Sequence, residues 1–418
     1  MRYIIFLVLW VIPMSSTFAW QAPDYDLLLK GGHVIDPRNG IDALYDVAVQ
    51  GEKIARVDQN ISVSSAKQVI DVSGLYVTPG LIEMHGHVNF IQQPNNQLTP
   101  EDRTMSCGIT TMIDVGSVGW QTFTRFKELV VDLARIRILA LLNVAGPGMG
   151  PPEQEVSNMH PGIIAAMIKQ YPDILVGVKS AHYSRRRSGP SWDDEHPPAA
   201  DVENALKAAE LAGVPLMADF YVQPPQRTYE RMMGLLRPGD VHAHVFSERY
   251  SSIMPDGSIN PILMDARRRG VLMEIGFGAA NLLFDNAIPA IKQGFYPDII
   301  SGDIIVLVPE LDLPTVMSTF IAMGMPLQDV IKCATMNPAD AIRRPELGSL
   351  SVGAGADIAV FEMEKGWFGF IDRVKVKDDR PRRKIMGDKK LVAQLTVFKG
   401  DIIYDREWRH LPEWKSAK

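Results

Sequence analysis

The chain has 418 residues, 46% hydrophobic and 22% charged, which excludes a disordered or collagen-like protein and fits one large domain with an appendage. With 43 Lys and Arg against 49 Asp and Glu, the formal charge is -6; no overall basic face is available, which argues against nucleic acid as a partner. Two cysteines, Cys107 and Cys333, are too few for a disulfide framework or a multi-cysteine zinc site and read as buried thiols.

Residues 1–19 predict a signal peptide. Met1-Arg2 brings a positive charge, Tyr3 to Met14 is apolar apart from Pro13, and Ser15-Ser16-Thr17-Phe18-Ala19 offers small residues for cleavage after Ala19. The apolar run is shorter than the about 20 residues a membrane-spanning helix needs. No later segment is long and apolar enough either, so the mature chain is expected to be secreted or periplasmic, with no integral span.

From Asp24 to Val77 short alternating runs are broken by turn signals: Tyr25–Lys30 before Gly31-Gly32, His33–Asp36 before Pro37-Arg38-Asn39-Gly40, then 46–49, 53–57 and 68–71. Such spacing predicts a small antiparallel sheet. The same texture returns at Ala356–Phe361 and Leu395–Phe398, so residues 20–78 and 346–418 are expected to form one small β-sandwich from both chain ends. The basic stretch Arg373–Lys390 reads as a solvated insertion in it.

Between them, residues 79–345, the texture changes. Apolar runs ending in polar residues alternate with helical patterns: 75–85, 110–114, 138–143, 175–179, 214–219, 241–244, 271–274 and 298–303. Eight such units predict an α/β fold, a (β/α)8 TIM barrel, with a doubly wound sheet as the competing topology. The barrel is favoured because polar residues gather at the C-terminal ends of the strands, where a barrel builds its site.

His85-Gly86-His87 ends the first unit, and residues two apart on a strand share a face. Two imidazoles at that spacing suit a divalent transition metal, zinc above all, although histidines also serve as ordinary strand residues. Lys179 ends the fourth unit, where a buried lysine must be paired or chemically altered. A salt bridge, a substrate carboxylate and a carbamate formed with CO2 all remain open. His244 ends the sixth unit and Asp303 the eighth.

Pro79-Gly80-Leu81-Ile82-Glu83-Met84-His85-Gly86-His87 resembles the first-strand signature of the amidohydrolase superfamily. Supporting stretches, in order along nearly all the mature chain, are 107–117, 176–179, 235–241, 293–303 and 348–357. The resemblance is to the deacetylase, dihydroorotase-like branch, which includes N-acyl-D-amino-acid deacetylases. It implies a (β/α)8 barrel with a β-sandwich from both ends, and metal roles for His85, His87, Lys179 as carbamate, His244 and Asp303.

The chain departs from that pattern at three points. Asp219 stands at the end of strand five where a histidine is usual; as an oxygen ligand it can hold a second metal, and the alternative is that this metal is lost. Ala181 replaces an arginine two residues after the lysine, and Gly276-Phe277-Gly278 replaces Gly-His-Gly. Candidate substrate contacts are His182, Tyr183, Arg185, Tyr221 and His242, although a deeper, packed position is the stronger expectation for His242.

Together these readings predict a metal-dependent hydrolase of an amide, with a small-molecule substrate and one or two divalent metals per chain. The metal would activate water, and Asp303 would take its proton and deliver it to the departing nitrogen. A lactone, ester or cyclic amide hydrolase using the same site, and a secreted binding protein without turnover, are the alternatives. A homo-oligomer is left open.

Overall fold

The computed structural model describes residues 23–88, 100–183, 196–223, 225–278, 281–304, 312–373 and 381–407. The expected signal peptide and Arg185 lie outside the described residues.

The chain opens with strands β1 (Tyr25–Asp36), β2 (Ile41–Gln50), β3 (Lys53–Asp58), β4 (Ala66–Asp71) and β5 (Tyr76–Pro79). These join β13 (Ile358–Ile371), β14 (Lys384–Phe398) and β15 (Asp401–Asp405) in one eight-stranded sheet, ordered β15-β14-β13-β5-β1-β2-β3 with β4 beside β1. Both ends of the chain therefore enter the same sheet. Its apolar residues, among them Leu29, Val47, Val49, Val77, Ile358 and Val397, bury one another in a core of their own.

Three features of this sheet differ from the expectation. It is mixed rather than antiparallel, since β1 runs parallel to both β4 and β5. Gly31-Gly32 does not separate two strands but forms a bulge inside β1. Gly31 takes φ +78°, and its N–H and the Lys30 ammonium both reach Asp46, at 2.8 and 2.7 Å; the extra residue is absorbed where Cβ would be strained. The basic stretch Arg373–Lys390 is not all insertion either. From Lys384 it is strand β14, whose register is set by pairing with β13 along nearly its whole length rather than by its own hydrophobicity.

Strands β6 (Leu81–Gly86), β7 (Ile109–Val115), β8 (Arg137–Asn143), β9 (Leu175–Ala181), β10 (Leu216–Asp219), β11 (Val241–His242) and β12 (Leu272–Met273) form a second, all-parallel sheet in sequential order. From β6 to β10 every residue is buried apart from the half-buried Arg137 at the start of β8. Burial on both faces is why these segments read as continuous apolar runs rather than alternating ones.

The eighth unit is not a regular strand. Residues 298–304 bridge the open edges: Glu274 pairs with Ile299 on one side and Gly86 with Ile304 on the other. Ile275 N donates to Ile299 O at 3.2 Å, and Ile304 N to His85 O at 3.0 Å. The parallel sheet thus curls back on its first strand, giving a TIM-barrel-like fold. Buried Glu83 reinforces the closure, accepting from the backbone N–H of His85 at 2.9 Å and of Gly302 at 2.8 Å. The run expected as the first barrel strand, 75–85, is divided at Gly80: β5 pairs with β1 and β13, and β6 begins the barrel.

Cys107 and Cys333 are buried free thiols, as expected.

Candidate metal centre

The C-terminal strand ends bring together the histidines and acids that the sequence singles out. His85, His244 and Asp303, all buried, offer ligand atoms within 4.8 Å of one another. His87 adjoins them, its Nε2 3.4 Å from Asp303 Oδ1, and the His85 and His244 ring centroids are 4.8 Å apart. Lys179 Nζ lies 3.5 Å from His85 Nε2.

The rings are held from behind. His85 Nδ1 contacts Glu274 Oε1 at 3.3 Å, and His244 Nδ1 contacts the carbonyl oxygen of Gly276 at 3.0 Å. A carbonyl only accepts, so His244 donates through Nδ1, and Nε2 is the ring atom turned towards Asp219. The same assignment for His85 follows from a carboxylate partner. His87 Nδ1 pairs with Ser117 Oγ at 3.0 Å, and Ser117 N donates to Asp114 at 2.9 Å.

The backbone is strained at this site. Of the five described non-glycine residues with positive φ, three are His182, His244 and Asp303, at 58°, 59° and 48°. Such conformations persist where the surroundings over-determine them, and they concentrate at functional sites. Gly276 and Gly278 leave the room required: a Cβ on Gly276 would come 2.5 Å from His244 Nδ1, and one on Gly278 would overlap the Asp303 carboxylate.

The charges are tuned by this packing. Burial lowers the His85 imidazole to about 4, with Lys179 adding to the effect. Burial opposes ionisation of Glu274, but the field and hydrogen bond of His85 outweigh it and hold the carboxyl at about 2. Asp303 behaves alike: burial raises it, and His85, His87 and His244 pull it well below the usual carboxylate range. Lys179 is 1% exposed with no carboxylate at ion-pair distance among the described residues, and burial lowers its pKa. Imidazole nitrogens beside carboxylate oxygens are the donor set of a divalent cation, so these residues fit one.

Other expected residues fall differently. Asp219 closes β10 beside the cluster, its Oδ2 3.6 Å from His244 Nε2, but its other oxygen is ion-paired with Arg249. His182 sits at the rim, its Nδ1 2.9 Å from Glu153 Oε2. Tyr221 lies under Arg249, whose Cζ is 4.8 Å from the ring centroid.

Two of the candidate substrate contacts are enclosed by protein. Tyr183 is fully buried in the main core, its hydroxyl donating to Pro197 O at 3.1 Å. His242 is packed against Phe220, ring centroids 5.2 Å apart, with Nε2 3.1 Å from the Tyr229 hydroxyl. Strand periodicity puts His242 on the face of His244, but the chain turns to positive φ at His244, and His242 is fully buried.

Sequence reasoning missed Glu274, Arg249 and Asn281. Glu274 closes the seventh apolar run, a signal that was legible; Arg249 and Asn281 sit in loops with no local pattern.

A TIM-barrel-like fold with a buried histidine–histidine–aspartate cluster at its strand ends defines a class of hydrolases, and comparison with known proteins agrees. The model of the Amidohydrolase family matches residues 281–403. A deacetylase of Agrobacterium fabrum is 30% identical over 328 residues, 76% of this chain and 78% of that protein. A deacetylase of Enterococcus faecalis is 28% identical over 386 residues, 87% of this chain and 98% of that protein. Among solved structures, an adenine deaminase matches with a TM-score of 0.79 at 26% identity, covering 92% of this chain and all of that one. The chain belongs to the amidohydrolase family, in its deacetylase-like branch, and is a hydrolase acting on carbon–nitrogen bonds.

Proposed function

We propose that this protein is a zinc-dependent deacylase of N-acyl amino acids, cleaving the amide by attack of water on the acyl carbonyl. The observation that carries the reading is the buried group of His85, His244 and Asp303. Two imidazoles and a carboxylate favour zinc among the divalent ions, with His87 beside them. A metal held there supplies polarisation of the carbonyl and lowers the pKa of water from 15.7 towards about 7.

The chain's own residues do the rest. Asp303 is an ionised acceptor at neutral pH, able to take the proton of the attacking water and pass it to the departing nitrogen. Glu274 and the Gly276 carbonyl fix the tautomers of His85 and His244. Lys179, buried and without an acid partner among the described residues, is suited to react as the neutral amine. Its nitrogen bonds to the carbon of CO2, one proton leaves to solvent, and the resulting carbamate is an anionic ligand for the centre.

The finer organisation follows the sequence. The terminal sheet is read as a small sandwich formed by residues 20–78 and 346–418, supported by its separate core. Export is supported by the signal-peptide pattern of residues 1–19.

Activity against a panel of N-acetyl amino acids and lactones tests the function. Amine release is expected from one or more of the amides, lost on dialysis against a chelator and restored by zinc. Amine release indifferent to chelation contradicts the proposal; turnover confined to lactones replaces it with ester hydrolysis at the same site.

A further inference from the structure

We infer that Arg249 occupies, as a fixed guanidinium cation, the place beside Asp219 that a second metal would need, so that the centre holds one metal ion per chain. This rests on the metal reading above and narrows it.

Asp219 is 3% exposed and borders the cluster through the contact of its Oδ2 with His244. Its other oxygen accepts from Arg249 Nη1 in a close ion pair. On its far side, Arg249 Nη2 donates to Asn281 Oδ1 at 3.0 Å, and Asn281 Nδ2 donates to Asp303 Oδ2 at 3.1 Å. One guanidinium therefore ties together, directly and through one amide, the two aspartates that flank His244. The Tyr221 ring beneath it fixes the guanidinium plane.

Electrostatics decides between arginine and metal. Arginine keeps its charge at every accessible pH. A dication bonded to Asp219 would sit against that charge in a buried site, where repulsion is strong. Expelling the guanidinium instead would strip a side chain only 17% exposed of both its polar partners. Asp303, by contrast, keeps Oδ1 turned to His85 and His87, at 3.8 and 3.4 Å, free of the arginine network.

The test is metal counting by plasma mass spectrometry on full-length protein equilibrated with excess Mn2+ and desalted, with the electron paramagnetic resonance spectrum recorded alongside. Wild type is expected to hold one ion with an uncoupled spectrum. Arg249→Met, which keeps the stem but removes the charge, should hold two with an exchange-coupled signal, and Arg249→Lys should remain at one. Two ions in the wild type would overturn the inference and leave the metal reading standing. A folded Arg249→Met that stays at one would overturn the role of Arg249; should that variant fail to fold, Arg249→Gln decides in the same way. No ion in wild type under any loading would remove the metal reading and this inference together.

Discussion

Asp303→Asn is expected to leave the barrel folded and to lower kcat for amide cleavage by about 10²–10⁴-fold, the usual worth of a positioned proton carrier. The change is nearly isosteric, and asparagine tolerates the φ of +48° that Asp303 adopts better than most residues. What it removes is the anion: the amide can neither take a proton from water nor carry one to the leaving nitrogen. It also turns one donor towards Asn281 or towards His87, where the carboxylate only accepts. Steady-state kinetics with a thermal melt checks this. An unchanged melt with near-normal kcat would take Asp303 out of the chemistry; loss in KM alone would make it a binding residue.

Lys179→Met is expected to abolish turnover and metal retention while the metal-free protein melts no lower than wild type. The lysine stem runs past Gly116, whose missing Cβ makes the room: one built there would come 2.8 Å from Lys179 Cγ. Methionine fills that channel with a similar, flexible side chain, and it removes an amine buried without an acid at ion-pair distance among the described residues. Loss of function without loss of stability is the signature of a residue kept for chemistry. A companion, Lys179→Ala, should recover part of its metal and activity when a short-chain carboxylic acid is supplied, because the acid can stand where the carbamate would be. Full metal content and turnover in either variant would defeat the carbamate role.

The parts of this molecule that could be read from sequence are those whose signal is local. Barrel strands buried on both faces print continuous apolar runs, and the polar residue closing each run marks the barrel mouth, so His85, Lys179, His244 and Asp303 were all legible. The eighth unit has the sequence pattern of a strand although 298–304 only bridges two edges, because its apolar run is the same whether or not a full ladder forms. What the sequence hides is set by tertiary proximity. Arg249 reaches Asp219 across 30 positions of chain and Asn281 across 32, and nothing near Arg249 announces either partner. His242 shows the limit of strand periodicity: it shares a face with His244 in the strand pattern, yet it lies buried against Phe220 and Tyr229. In β14 the lysines that suggested a loop are carried by a strand whose ladder is supplied by β13.

Anomalous diffraction at the zinc edge, on crystals of zinc-reconstituted protein, tests the central claim most directly. A peak within bonding distance of His85 Nε2, His244 Nε2 and an oxygen of Asp303 is expected. A peak elsewhere on the chain, or one in the barrel mouth that neither histidine contacts, would contradict it.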